Sequence, residues 1–123
     1  MEFYKRRVCR LDPWPDYVQR TFAGIEEHPE VYLTMEGPNE FVITGTLKDW
    51  DITGRLGEID IPTLVISGRH DEATPLIART VHEAIPGSRW VLFEDSSHMP
   101  HVEETDRFLD VVGEWLAQRE AAI

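Results

Sequence analysis

The second half of the chain, from about residue 47, has the clearest pattern of apolar and polar positions. Two uninterrupted apolar runs, "IPTLVISG" at 61–68 and "SRWVLFED" at 88–95, predict short strands of the kind that parallel sheets bury on both faces. A helical pattern follows each run, the first beginning at Thr74 and Pro75 and ending at the Pro-Gly pair 86–87. The apolar positions are Ile77, Ala78, Val81 and Ile85 in the first helix and Phe108, Leu109, Val112, Trp115 and Leu116 in the second. This order predicts an α/β fold with two parallel strands and flanking helices.

Residues 1 to about 46 form a first region with a weaker pattern. Asp12 and Pro13 predict the cap and first turn of a helix that ends before Pro29. Its apolar positions are Val18, Phe22 and Ile25, which recur at helical spacing. A second short helix is predicted at 30–36, whereas residues 40–47 fit either a strand or a loop.

An aspartate and a histidine follow the two predicted strands. Because parallel strands end at the same edge of a sheet, Asp71 and His98 are expected to lie close together although they are far apart in the sequence. A carboxylate that accepts a hydrogen bond from an imidazole fixes its tautomer and stabilises its protonated form. Such a pair forms two thirds of a nucleophilic triad.

The triad hypothesis requires a nucleophile. In the α/β-hydrolase chain order the nucleophile precedes the acid and the histidine, so it should lie upstream of Asp71. None of the serines lies in the motif Gly-x-Ser-x-Gly, whose small residues allow the tight turn that exposes the hydroxyl. These serines are Ser67, Ser88, Ser96 and Ser97.

Less specific roles remain open for the pair. Asp71 alone is typical of a turn, and His98 alone is compatible with a hydrogen-bonded loop histidine. A metal site that adds His101 and Glu103 is disfavoured, because His-x-x-His with an intervening proline is not the spacing of a helical ligand pair. We therefore expect neither a metal nor another cofactor.

Charge and cysteine content restrict the kinds of partner and the cellular compartment that we expect. Acidic residues outnumber basic ones 23 to 12, which gives a net charge of −11 without a basic stripe and disfavours nucleic acid and anionic membranes as partners. The single cysteine, Cys9, cannot form an internal disulfide, and a structural role is favoured over a nucleophilic one. No apolar run reaches the length of a membrane span, so we expect a cytoplasmic location.

Four segments carry a resemblance that extends over nearly the whole chain. They are "CRLDPWP", "GPNEF", "LKDWDITGRLGEIDIPTLVISGRHDEATP" and "FEDSSHMPHVEET". Together they resemble the C-terminal part of proline iminopeptidases, which are serine peptidases of the α/β-hydrolase fold that remove N-terminal proline. The strands and the two loops fit many α/β hydrolases, whereas "GPNEF" combined with "HDEATP" is more specific to this family.

The resemblance implies roles for four residues. Asp71 corresponds to the triad acid and His98 to the general base. Glu40 and Glu72 correspond to two glutamates that hold the free amino terminus of the substrate, and a pair of carboxylates suits a secondary ammonium chemically. Without the resemblance, Glu40 fits a solvated turn residue and Glu72 a carboxylate at a helix start.

The resemblance also implies a domain organisation. Residues 1–46 correspond to the rear part of a helical cap, and residues 47–123 to the C-terminal part of the α/β-hydrolase core. The nucleophile elbow and the oxyanion loop of the family have no counterpart in these 123 residues. We therefore expect a fragment, natural or engineered, of a cytoplasmic proline iminopeptidase.

Such a fragment is expected to be inactive alone and to act on peptides with N-terminal proline only once completed. Because the first strand would have an uncovered edge, we expect self-association or pairing with the missing N-terminal fragment. Two alternatives remain: a non-catalytic interaction protein derived from an α/β hydrolase, and a fragment of a related esterase or amidase.

Overall fold

The computed structural model describes residues 2–121 and contains a βαβα unit in its second half. In chain order the elements are α1 (Glu2–Arg7), α2 (Asp16–Glu27), α3 (Glu30–Met35), a 3-10 helix (Thr53–Glu58), β1 (Leu64–Gly68), α4 (Pro75–Ala84), β2 (Arg89–Phe93), α5 (Pro100–Glu103) and α6 (Thr105–Glu120). β1 and β2 pair in parallel, with Leu64 opposite Arg89 and Gly68 opposite Phe93. The predicted α/β fold class and the predicted order strand, helix, strand, helix in the second half of the chain are confirmed.

The chain divides into two compact units. One combines Met1–Asp12 with Arg55–Ile123 and contains the sheet, and the other is Pro13–Gly54 and contains α2 and α3. The short α1 thus belongs to the unit that contains the sheet. The assignment of residues 1–46 to a cap and of 47–123 to the hydrolase core stays a prediction.

The core of the sheet unit lies where the strands end. Phe93 is fully buried at the end of β2, 6.3 Å from the ring of Phe108 on α6, and the guanidinium of Arg107 lies 4.3 Å from the centre of its ring. The expectation that the strands are buried on both faces holds only at their carboxyl ends. The residues Leu64–Ile66 are half-buried, because among the described helices only α4 and α5 pack closely against β1.

The first region differs from its predicted pattern at one helix start. α2 begins at Asp16 with Pro15 at its N-cap, so the predicted cap at Asp12 with Pro13 in the first turn is wrong. A residue that precedes proline is biased away from the helical region, and Trp14 precedes Pro15. α3 forms as predicted, and residues 40–47 form a loop.

The start of α4 agrees with its sequence signals. Thr74 is the N-cap and Pro75 the first helical residue, although the Thr74 hydroxyl forms no capping hydrogen bond. The helix ends before Gly87, which adopts a positive φ of 68° that favours glycine. The predicted boundaries of this helix are confirmed.

Gly68 ends β1 at the point where the loop after β2 crosses it. A Cβ at this position would collide with the backbone carbonyl oxygens of Ser96 and Ser97. Only a residue without a side chain permits this approach. The loop that carries His98 can therefore lie directly against the end of β1.

We predict that Gly68→Ala destabilises the fold by about 1–3 kcal/mol, the usual cost of inserting a group into a packed site. The matched control is Gly113→Ala in α6, where an added Cβ meets no other atom within 4 Å. This control should raise the free energy of unfolding by up to about 1 kcal/mol, because alanine favours a helix more than glycine does. Urea unfolding followed by circular dichroism measures both, and a Gly68→Ala variant as stable as the parent would contradict the close approach.

Candidate active site

Backbone hydrogen bonds join the loops that follow the two strands. The Arg69 N–H donates to the carbonyl of Phe93 at 2.8 Å, and the His70 N–H donates to the carbonyl of Ser96 at 3.0 Å. These bonds continue the link between the strands beyond their carboxyl ends. The acid loop after β1 and the histidine loop after β2 are therefore held together before any side chain is considered.

The structure brings together the two residues predicted to form an acid–base pair. His98 Nδ1 lies 2.9 Å from Asp71 Oδ1. Because an ionised carboxylate only accepts hydrogen bonds, Nδ1 is the donor, and Nε2 is the acceptor nitrogen of the neutral ring. The same Asp71 oxygen accepts the N–H of Ala73 at 2.8 Å, which fixes the carboxylate at the start of α4.

The two partners differ in their exposure to solvent. The side chain of Asp71 is 8% exposed, whereas that of His98 is 47% exposed. The carboxylate is thus enclosed by protein, and the imidazole reaches the surface where a substrate or another chain can meet it. This is the arrangement that a general base with a buried orienting acid requires.

The surroundings of His98 favour its protonated form. The hydrogen bond with Asp71 raises the pKa of His98, partial burial of the ring opposes this, and the negative charges of Asp71, Glu72 and Glu103 raise it further. The net direction is upward from the ordinary value. Stabilisation of an imidazolium is what the acid of a triad provides when the histidine takes a proton from the nucleophile.

Every serine of the chain forms hydrogen bonds with groups other than His98. Ser67 accepts the Trp90 indole N–H, the hydroxyl of Ser88 bonds with His82, and Ser96 and Ser97 donate to glutamates. Ser67, Ser96 and Ser97 are also buried. The structure therefore places none of them as the partner of His98 Nε2.

The two glutamates implied by the resemblance lie in different units. Glu72 follows Asp71 directly, is half-buried, and its backbone N–H donates to the carbonyl of Arg7 at 3.3 Å. Glu40 is half-buried in the unit of α2 and α3, where it accepts a hydrogen bond of 3.2 Å from the Tyr32 hydroxyl. The convergence of Glu40 and Glu72 on one ligand stays a prediction.

The sequence patterns did not predict a glutamate that holds the histidine loop. Glu104 accepts hydrogen bonds from the Ser96 hydroxyl at 2.5 Å and from the Asp95 N–H at 3.3 Å, and it pairs with Arg107. Burial disfavours its charged form, but the hydrogen bonds from Ser96 and Arg107 outweigh this and lower the pKa of Glu104. The only signal was an acidic residue six positions after the histidine, and such a residue is equally typical of a solvated helix start.

Cys9 lies in the core of the same unit. It is fully buried, and this burial raises the pKa of its thiol. Because the thiolate is the nucleophilic form, both observations support the structural role expected from the sequence.

An open cleft of about 270 Å³ adjoins the pair. Its walls are mostly apolar and come largely from β1 and α4, and Asp71 and His98 are among the polar residues that line it. Within residues 2–121 no cluster of three or more histidine, cysteine or acidic side chains is placed to hold a metal ion. In the same part of the chain, none of the helices combines the length and apolarity needed to cross a bilayer.

The fold and the pair together define a class of protein. An acid after one parallel strand and a histidine after the next, separated by a helix, form the C-terminal part of an α/β-hydrolase fold. Comparisons with known proteins agree with this class and narrow it, because the chain is similar to proline iminopeptidases over most of its length. The predicted resemblance is thereby confirmed.

Three proteins illustrate the similarity. The proline iminopeptidase of Saccharolobus solfataricus is 47% identical over 116 residues, which are 94% of this chain and 37% of that protein. The crystal structure of proline iminopeptidase from Mycobacterium smegmatis matches with a TM-score of 0.92 at 44% identity, over 98% of this chain and 40% of that one. The crystal structure of VinJ matches with a TM-score of 0.88 at 46% identity, over 94% of this chain and 39% of that one.

These matches cover only part of the length of each relative. The chain spans 37% of the Saccharolobus protein, and the matched region is its C-terminal part. No family model matches the chain. Similarity thus covers the acid and histidine loops, and the activity of a whole peptidase is a separate question.

We predict that Asp71→Asn lowers the pKa of His98, because an amide lacks the negative charge that stabilises the imidazolium. The folded state holds the His98 proton more tightly than the unfolded chain does. The contribution of the Asp71–His98 pair to the stability of the fold is therefore fully present below about pH 6.5. This stabilisation is lost as the pH rises through the folded-state pKa. A titration of the ring nitrogens by NMR measures the shift directly.

The control for this titration is Asp110→Asn, which removes an exposed carboxylate from α6. It should leave the titration of His98 unchanged. If His98 titrates at the same pH in the parent and in Asp71→Asn, the hydrogen bond does not set its protonation.

Proposed function

We propose that the chain is the C-terminal portion of a serine peptidase that releases N-terminal proline from peptides. The hydrogen bond between Asp71 and His98 at the carboxyl edge of a parallel sheet carries this proposal. The similarity to proline iminopeptidases supports it and supplies the substrate class. A cytoplasmic location and the absence of a cofactor remain part of the proposal.

In the proposed reaction His98 acts as the general base. Nε2 accepts the proton of a serine hydroxyl as the serine attacks the prolyl carbonyl, and the imidazolium then protonates the leaving amine. Asp71 holds the ring in the required tautomer and stabilises its charge. The four serine hydroxyls are engaged elsewhere, which supports a nucleophile supplied from outside these 123 residues.

Substrate selection is assigned to Glu40 and Glu72. An enzyme that removes one terminal residue must recognise the charged prolyl nitrogen, and carboxylates do so by charge-assisted hydrogen bonds. Glu72 is adjacent to the acid of the pair, and the Tyr32 hydroxyl restrains the carboxylate of Glu40. The hydrogen bond from Tyr32 thus restrains the Glu40 carboxylate before substrate binds.

The open edge of β1 is the proposed attachment site for the remainder of the enzyme. Within the described residues β1 pairs with β2 alone, and Val65, Ile66 and Ser67 of β1 line the apolar cleft. Nearby apolar side chains are exposed, among them Ile61 and Leu76. An additional strand would satisfy the free backbone groups of β1 and cover this surface.

We predict that a chimera restores prolyl-peptidase activity. In the chimera, the upstream portion of the Saccharolobus proline iminopeptidase, which this chain does not match, is fused to residues 1–123. It should release chromogen from a prolyl anilide, whereas the chain alone should not. His98→Ala should lower kcat by about 10²–10⁴-fold, the usual contribution of general acid–base catalysis, and His101→Ala should retain activity.

Two outcomes would count against this prediction, and a third would count against the proposed attachment at the β1 edge. Equal turnover by the parent and His98→Ala chimeras would exclude His98 as the base. A chimera that hydrolyses esters but no prolyl anilide would favour the esterase alternative. A chain that alone is a monomer and binds no hydrophobic dye would contradict attachment at the β1 edge.

We predict that Glu40→Gln and Glu72→Gln weaken recognition of the substrate amine in this chimera. Loss of one hydrogen bond between charged groups costs about 1.5–3 kcal/mol, so kcat/KM for a prolyl anilide should fall by about tenfold or more. Hydrolysis of p-nitrophenyl acetate, which has no ammonium group, should change little. Glu26→Gln, on an exposed face of α2, is the matched control, and parent-like kinetics of both variants would exclude the amine-binding role.

A further inference from the structure

Four hydrogen-bond donors converge on the carboxylate of Glu103, the last residue of α5. Oε2 accepts the backbone N–H groups of Ser97 at 2.8 Å and Met99 at 3.1 Å. Oε1 accepts the Ser97 hydroxyl at 2.8 Å and the backbone N–H of Arg10 at 2.7 Å. Both oxygens of the side chain are therefore used as acceptors.

Two of these donors flank His98 in the sequence. Ser97 and Met99 precede and follow the histidine, so their bonds to one oxygen fix the backbone on both sides of it. The loop has no regular secondary structure at this point, and β2 has already ended at Phe93. The position from which the imidazole extends toward Asp71 thus depends on Glu103.

The fourth donor connects the histidine loop to the N-terminal segment. The Arg10 guanidinium also donates to the carbonyl of Asp95 at 3.1 Å, three residues before His98. Upstream, the carbonyl of Arg7 accepts the N–H of Glu72. The segment between Arg7 and Arg10 therefore contacts both loops that carry the acid–base pair.

The arrangement requires a carboxylate at this position. A glutamine has the same length but only one oxygen, and its amide group is a donor. With glutamine, at least one backbone or hydroxyl donor would face another donor. A shorter aspartate keeps both oxygens and the charge but ends one methylene earlier, so it cannot reach all four donors at once.

We propose that Glu103 is a positioning residue for the Asp71–His98 pair, fixing the histidine loop through its two carboxylate oxygens and tying it to the segment Arg7–Arg10. The hydrogen-bond geometry stands by itself, and the consequence for catalysis rests on the proposed function. Glu103 also adds negative charge near the imidazole, together with Asp71 and Glu72. The length of the Glu103 side chain and its negative charge can be tested separately by experiment.

The test is NMR of the ring nitrogens and Nδ1 protons in the full chain labelled with ¹⁵N-histidine. In Glu103→Gln the Nδ1 proton of His98 should exchange with water about tenfold faster, as expected when hydrogen bonds to a charged group are lost. In Glu103→Asp the exchange should also accelerate, although the charge is kept. Glu114→Gln, which removes an exposed carboxylate from α6, should behave like the parent.

His82 provides an internal control for a merely structural effect. Its Nδ1 lies 2.8 Å from the Ser88 hydroxyl in the same unit. General destabilisation would accelerate exchange at both histidines, whereas a positioning role should affect His98 alone. The proposal would be overturned if Nδ1 proton exchange changed equally at His82 and His98. It would also be overturned if exchange at His98 changed in neither Glu103→Gln nor Glu103→Asp.

A milder variant covers the case in which Glu103→Gln does not fold. Ser97→Ala deletes only the hydroxyl donor and should accelerate exchange at His98 by a smaller factor, and parent-like exchange would contradict the proposal. In the chimera, Glu103→Gln should lower kcat with little change in KM. If the chimera has no prolyl-peptidase activity, the proposed function fails, while the NMR result still decides the role of Glu103.

Discussion

The parallel pairing of β1 with β2 is the constraint on which the candidate site depends. It brings both strand ends to one edge, and the backbone bond from Arg69 to Phe93 extends the contact into the loops. Gly68 lets the histidine loop lie against the end of β1 without a side chain between them. The Arg69–Glu94 ion pair also bridges the loops, but both side chains are solvent-exposed, and such pairs add little stability.

Carboxylates then determine the properties of the histidine. Asp71 orients the ring through a part-buried hydrogen bond, and Glu72 and Glu103 add negative charge around it. This environment stabilises the imidazolium that forms when a nucleophile is deprotonated. In the proposed reaction the free base must accept the proton, and this form predominates only above the raised pKa of His98.

The sequence predicted those parts of the fold that depend on regular spacing. The apolar runs of β1 and β2 and the stripe of α4 are strong signals because they are repeated and bounded by proline and glycine. The short helices α1 and α5 and the 3-10 helix were not predicted, because segments of four to six residues have too few turns to show a clear period. α3 is equally short, but the "GPN" stop that follows it indicated its end. The start of α2 was misplaced because Asp12 and Pro13 fit a cap and first turn, whereas the helix begins only after the second proline, Pro15.

The candidate site was predictable to a different extent at each residue. Asp71 and His98 follow from topology, since each comes after a recognisable strand. Glu72 and Glu40 were indicated only through the family resemblance. The role of Glu103 depends on backbone donors in an irregular loop and on Arg10, and no spacing rule connects positions so far apart in sequence.

The most direct measurement is the rate at which a fluorophosphonate labels the chimera. This reagent modifies a serine only when a neighbouring base activates it, and it needs no substrate recognition. If Asp71 and His98 serve a serine from the upstream portion, that serine is labelled, and His98→Ala slows labelling by about a hundredfold or more. Labelling at the same rate in the parent and His98→Ala chimeras would show that the pair does not activate a nucleophile.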